Sequence, residues 1–223
     1  MGIDLRSQPA GEKVLKNKSK SMFYSILDEQ RKEILPLLKN FKGDFYLAGG
    51  TALALQLGHR DSVDFDFFSS NDIDTVELFE RLKNIFDEYT IVKVQEEKNT
   101  LTVVIDENIK ISFFTYKYKL LNDLIRENDL DLASVEDIAC MKLSAIVSRS
   151  TEKDYVDLYF ILQNYSLETL LNLSQEKFPQ LDSNLIVKSL VYFDDVEREK
   201  INFKNGKEVS FEEVKRFLKN VVK

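Results

Sequence analysis

Asp64 and Asp66 stand two residues apart in Ser62-Val-Asp-Phe-Asp-Phe-Phe68. In an extended chain that spacing puts both carboxylates on one face, about 6.5–7 Å apart along the strand, while Val63, Phe65 and Phe67 turn to the other face and into a core. Two carboxylates held in parallel repel unless a cation lies between them. The pair therefore suits shared ligation of Mg²⁺, or of two ions about 3.5–4 Å apart as in two-metal phosphoryl chemistry. A solvated acidic strand face would give the same triplet, and the upstream residues decide between the two. Asp44 to Gly50 is a short apolar run that reads as a buried strand stopping at Gly49-Gly50. Thr51 is the expected N-cap of a helix over Ala52 to Leu57, closed by Gly58. Such a turn lets backbone N–H groups approach a phosphate, with the positive end of a helix dipole behind them.

Cations lie downstream. Ser134 with Asp137 three later marks a helix start, and on that helix Lys142, Ala145 and Arg149 fall at i, i+3 and i+7, so both cations project from one side. Lys142 is expected to hold triphosphate oxygens and Arg149 to support phosphate or acceptor, with Lys153 in the same group. Ser150-Thr151 breaks the helix and Thr151 caps the next. There Asp154 and Asp157 sit one turn apart, placed to orient Lys142 or Arg149 or to serve as a general base. His59, the one histidine, and Arg60 lie between the glycine turn and the acid pair. Arg60 is the better phosphate partner because its guanidinium binds bidentately. Ser62 completes this expected nucleotide-binding set. Cys140 reads as a small buried hydrophobe, and Tyr155, Tyr159 and Phe160 as packing residues.

Gly49-Gly-Thr51, then twelve residues, then Asp64-Phe-Asp66 resembles the signature of the nucleotidyltransferase superfamily. More narrowly, Ala48-Gly-Gly-Thr-Ala-Leu53 with Gly58-His-Arg60, Ser62 and Asp64-Phe-Asp-Phe-Phe68 resembles the AbiEii/AbiGii nucleotidyl transferases of type IV toxin–antitoxin systems. The run from Asp137 to Tyr159 is similar to that family's downstream pattern. The resemblance implies an α+β fold, a nucleotidyltransferase-like mixed β-sheet flanked by helices and followed by a helical C-terminal part. It also implies Mg²⁺-dependent transfer of a nucleotide from an NTP to an acceptor hydroxyl, with RNA (tRNA) as acceptor and a cognate antitoxin as partner. Many superfamily members carry a third carboxylate on a neighbouring strand, but Lys110 to Tyr118 has none and Ser112 takes that position. The base is then sought first at Asp157, next at Asp154, and third at Asp106. Three other readings stay open: nucleotidyl transfer to an aminoglycoside, AMPylation of a protein, and a non-catalytic nucleotide-binding module.

Elements must hold these groups in place. Apolar periodicity predicts a helix over residues 21–41, with Pro36 as a kink or break, and another over 74–89. Strands are expected over 90–94, 100–105 and 109–116, then helices over 134–148, 152–164, 167–178, 184–193 and 211–222. The expected organisation is a basic arm of net +3 over residues 1–20, an α+β domain over 21–120, and a helical domain over 121–223 that completes the active site. At 43% hydrophobic and 31% charged, the composition excludes a disordered chain. One cysteine and no Cys/His cluster exclude an internal disulfide and a structural zinc site. No apolar run has the length of a membrane span, and no secretory leader is evident, so a cytoplasmic protein is expected. The net charge of −7 argues against a nucleic-acid partner until it is located: residues 61–88 hold nine acids and two bases, a net of −7, so the remainder is neutral.

Overall fold

Tyr46–Ala48 form a short, fully apolar and buried strand, β1, around which the rest of the chain is arranged in a computed structural model that describes residues 22–223. The expected basic arm lies outside the described residues. After β1 come α2 (Gly49–Leu57), β2 (Phe65–Ser69), α3 (Thr75–Ile85), β3 (Ile91–Glu97), β4 (Thr100–Ile105) and β5 (Ile109–Thr115). Two-residue strands β6 (Ile125–Arg126) and β7 (Asp131–Leu132) follow. The remainder is helical: α4 (Val135–Ser148), α5 (Glu152–Ile161), α6 (Leu167–Lys177), α7 (Ser183–Leu190) and α8 (Phe211–Val221), with α1 (Glu29–Leu38) preceding β1. The seven strands make one mixed sheet in the order β3-β4-β5-β2-β1-β7-β6. Strand β2 runs parallel to β5, β1 runs parallel to β7, and the other pairs are antiparallel.

Alternation along β2 and β5 gives the sheet two different faces. Phe65, Phe67, Ile111 and Phe113 are buried on one side. There Phe41 packs 5.1 Å from the Phe113 ring and 5.8 Å from Phe67, under the buried Ile34 and Leu38 of α1 and Leu78 and Leu82 of α3. The opposite face carries Asp66, Phe68, Ser112 and Phe114, brought side by side by the registers Asp66↔Ser112 and Phe68↔Phe114. This second face looks toward α4. The β4–β5 turn passes through Asp106 and Glu107 at positive φ.

Several expected boundaries move. The predicted 21–41 helix begins only at Glu29, where the Asp28 carboxylate accepts the Arg31 N–H. Pro36 is carried inside α1, whose end tightens into a 3-10 turn at Lys39–Phe41. Thr51 is not an N-cap: α2 starts at Gly49, after Ala48. Asp64 lies just before β2, and Val63 is 46% exposed rather than in the core. The expected division near residue 120 does not separate two cores. Strands β6 and β7 extend the same sheet, and one apolar cluster runs from Ile26 through Leu132 to Leu218.

Candidate active site

A cleft of about 730 Å³ lies between the Asp66 face of the sheet and α4, within the usual range for small-molecule sites. Two glycines let its polar end close up. Gly49 has φ +69°, and a Cβ there would stand 2.9 Å from Asp66 Oδ2. At Gly50 a Cβ would meet Arg60 Nη2 at 2.8 Å and Ser62 Oγ at 3.2 Å. The glycine pair is therefore required by the side chains it approaches.

Asp64 and Asp66 both line the cleft. Burial, and next the charge of Asp64, push the Asp66 carboxyl above its usual range, since both disfavour its ionised form. Lys110 Nζ lies 3.7 Å from Asp64 Oδ2 and only partly offsets the charge. The third position is neutral: Ser112, in register with Asp66, is buried and shares a 3.2 Å hydrogen bond with the Thr102 hydroxyl. No group of three or more His, Cys, Asp or Glu side chains suited to a metal ion occurs among the described residues. The pair nevertheless fits Mg²⁺, which is commonly held by one or two carboxylates together with substrate phosphates and waters.

Behind the cleft wall is a buried ionic cluster centred on Asp157. Its Oδ1 accepts from Arg60 Nε at 2.7 Å and from His59 Nε2 at 2.8 Å, and its Oδ2 from Arg60 Nη2 at 2.8 Å. Lys142 Nζ stands 2.6 Å from Asp157 Oδ2 and 2.7 Å from Asp154 Oδ1. Asp154 Oδ2 in turn accepts from Thr151 Oγ1 at 2.8 Å and Arg149 Nε at 3.2 Å. Burial pushes Asp157 up, but the Arg60 and Lys142 cations and the donated hydrogen bonds outweigh it and hold the carboxyl well below its usual range. Burial lowers His59, so its Nε2 carries the proton given to Asp157 while Nδ1 has no partner. Arg60 and Lys142 balance Asp154 and Asp157 in charge.

This network reassigns several expected roles. Asp157 is fully buried and does not line the cleft. With every lone-pair direction engaged and its pKa depressed, it is unsuited to act as a general base. Asp154 lines the cleft but holds Lys142, Arg149 and Thr151, and Asp106 receives the Thr90 N–H at the β4–β5 turn. His59 is fully buried against the Phe160 ring, 5.0 Å between centroids, and does not reach the cleft. Arg60 reaches the cleft edge, but its guanidinium is spent on Asp157 and, through Nη1, on the Asp61 carbonyl. Thr51 turns inward, donating to the Asp64 carbonyl and bonded to Ser62 Oγ at 2.8 Å. Gly49, Gly50, Ser62, Asp64, Asp66, Lys142, Arg149, Lys153 and Asp154 do line the cleft. Lys153 pairs with Glu199 at 2.5 Å. Two contributors were not anticipated. Lys110 was findable, since it alternates with Ser112 onto the same face. Glu199 to Asn202, which close the polar end, carry no signal of proximity in the sequence.

A sequence model of the family described as "Nucleotidyl transferase AbiEii toxin, Type IV TA system" matches residues 37–220. The chain belongs to this family. A similar protein is an Aquifex aeolicus chain described as uncharacterized, 41% identical over 187 residues, which cover 81% of this chain and 87% of that one. Among solved structures, JHP933 from Helicobacter pylori is 21% identical with TM-score 0.57, covering 88% of this chain and 91% of its own. MenT4, a nucleotidyltransferase toxin from Mycobacterium tuberculosis, is 14% identical with TM-score 0.58, covering 86% and 82%. At these identities the two structures share the fold. Membership makes this AbiEii-family chain a nucleotidyltransferase, and its mixed sheet with flanking helices is the α+β architecture of that group. No helix of the described residues is long and apolar enough to cross a membrane.

Proposed function

We propose that this chain transfers a nucleotide from an NTP to an acceptor hydroxyl on RNA, a tRNA being the substrate, with Mg²⁺ held by Asp64 and Asp66. It would act in the cytoplasm as the toxin of a pair with a cognate antitoxin. The observation that carries this reading is the convergence, in one open cleft, of a glycine turn, two paired carboxylates and a cationic wall. Bound metal would polarise the α-phosphate and neutralise charge on the acceptor and leaving oxygens. The chain's own residues do the rest. Gly49 and Gly50 admit the phosphates to the backbone, and Lys142, which lines the cleft with its ammonium fixed by Asp154 and Asp157, would give its remaining N–H to a phosphate oxygen without reorganisation. As the acceptor hydroxyl oxygen bonds to the α-phosphorus, its proton passes to water at the open mouth of the cleft, the bond from the α-phosphorus to the α,β-bridging oxygen breaks, and pyrophosphate leaves with the electron pair. Asp64, 44% exposed, is the open carboxylate beside that path. Arg149 at 64% and Lys110 at 47% exposed flank the mouth, where an RNA backbone would meet them.

The test is incubation with each labelled NTP, Mg²⁺ and total bacterial RNA, followed by separation of RNA, protein and small molecules. Label is expected in RNA, and lost by at least a hundredfold in Asp64→Asn/Asp66→Asn. A double variant working at the wild-type rate would sink the mechanism. Label in a polypeptide or an aminoglycoside would replace the acceptor.

A further inference from the structure

The cleft is divided along its length. At one end lie Arg60, Ser62, Lys110 and Arg149; at the other lie Phe68, Phe114, Tyr116, Ile138 and Met141. Asp66 stands between the two ends. Phe68 follows it by two residues on the same strand face, about 6.5–7 Å further on, and Phe114 is its cross-strand neighbour. The rings form a continuous surface: Phe68 to Phe114 is 5.3 Å and Phe68 to Tyr116 is 5.4 Å between centroids. All three rings are partly exposed. Opposite them, Met141 and Ile138 sit one residue and one turn before Lys142 on α4. Phe68 stacks on Tyr46 at 6.0 Å and Tyr116 packs on Tyr118 at 5.1 Å on their other sides, and all three rings still line the cleft. A ligand with a charged end and a flat apolar end fits the division.

We propose that the Phe68–Phe114–Tyr116 surface and the facing Met141 form a nucleobase slot for the incoming NTP. The inference rests on the reading of this cleft as the NTP site and adds which end takes the base. The triphosphate would lie toward Lys142 and Arg149, the α-phosphate at Asp66, and the base against the rings. The slot offers ring faces and a thioether, with the Tyr116 hydroxyl as the polar group of its side chains. Grip would therefore come from stacking, which every base provides, rather than from paired hydrogen bonds. All four NTPs should bind, ordered by stacking area.

Calorimetry without acceptor, in Mg²⁺, tests this with each NTP and with inorganic tripolyphosphate. Phe114→Leu keeps apolar volume but removes the ring face; NTP affinity should fall about tenfold while tripolyphosphate affinity stays unchanged. Met141→Ala, on the opposite wall, should weaken NTP severalfold with the same indifference to tripolyphosphate, and it carries the test if Phe114→Leu melts early. Equal losses for both ligands would overturn the slot. So would unchanged NTP binding accompanied by a raised KM for RNA, which would give the rings to the acceptor. Wild-type protein that binds tripolyphosphate as tightly as NTP would also overturn it, with the transferase reading intact. Wild-type protein that binds neither would overturn the transferase reading itself.

Discussion

Asp66 is destabilising to the protein in the absence of its ligand. Its carboxyl is pushed up first by burial and then by Asp64, so the folded chain holds that proton more tightly than the unfolded chain does. The sign follows from linkage: below the ordinary carboxylate range both states hold the proton and the group costs nothing, and the cost grows as pH rises from there to the raised folded value, above which it is complete. Asp66→Asn should therefore melt at the same temperature as wild type or a few degrees higher at pH 7. The difference should shrink as pH falls below the raised value and close at and below the ordinary carboxylate range. Addition of Mg²⁺ with NTP should raise the wild-type melting temperature and leave the variant unmoved. Thermal melts with and without Mg²⁺·NTP check both, and a variant that melts well below wild type at pH 7 would make Asp66 a structural residue. The acid pair and the glycine turn are visible in the sequence because they are local, within three residues and one turn. The pairing of His59 and Arg60 with Asp157 is not legible in the sequence for the converse reason. Their partner, Asp157, is 97 residues or more away, and nothing in residue type separates a guanidinium that meets a phosphate from one that meets a buried carboxylate.

Among the elements, the turn from β1 into α2 holds the cleft's polar end at its closest approach. Gly50 has an ordinary φ, so Gly50→Ala is opposed only by Arg60 Nη2 at 2.8 Å and Ser62 Oγ at 3.2 Å. Arg60 cannot swing aside, since its fork is bound to Asp157. Overpacking of this kind costs about 1–3 kcal/mol, and here it also displaces Arg60. Gly43→Ala supplies the control: φ is +88° with nothing within 4 Å of a Cβ, a backbone cost of about 1–2 kcal/mol away from the cleft. Denaturant midpoints should fall comparably in the two variants, whereas nucleotide transfer should collapse only in Gly50→Ala. Equal transfer in both would show that the turn does not shape the site. At this scale, strong periodicity and cap chemistry were legible. Helix α4 starts where Ser134 accepts the Asp137 N–H, and buried apolar residues fall at every second position of β4 (Leu101, Val103, Ile105) and β5 (Ile109, Ile111, Phe113). Strands β6 and β7 were not, because two residues have no period. The start of α2 was misplaced because glycine is a poor helix former, and a Thr after two glycines looks like a cap.

For the whole molecule, the net charge of −7 says little about any one surface, because opposite charges are sorted into place: Asp64 and Asp66 in the cleft, and a neutralised cluster behind it. That cluster also joins the parts of the chain. Arg60 follows α2, Lys142 belongs to α4 and Asp157 to α5, while residues 202–205 strap the same loop through Asp61 N–H to the Asn202 carbonyl and Lys204 N–H to the His59 carbonyl. The two carboxyls are held below their usual range against the opposing effect of burial. Their contribution to stability is thus complete above the ordinary carboxylate range and is lost as pH falls through the depressed folded values. Asp157→Asn leaves Arg60 and Lys142 buried with one counter-ion between them, which should cost about 3–5 kcal/mol at pH 7. Because the pairs are buried, salt should recover little of that loss. Urea midpoints followed from pH 7 to pH 2, at low and high NaCl, give the decisive comparison. Wild type should converge on the variant only in the acid part of the series, where Asp157 finally takes up its proton. Parallel curves down to pH 2, or full recovery of the variant in salt, would mean that the cluster is not what ties the sheet to the helices.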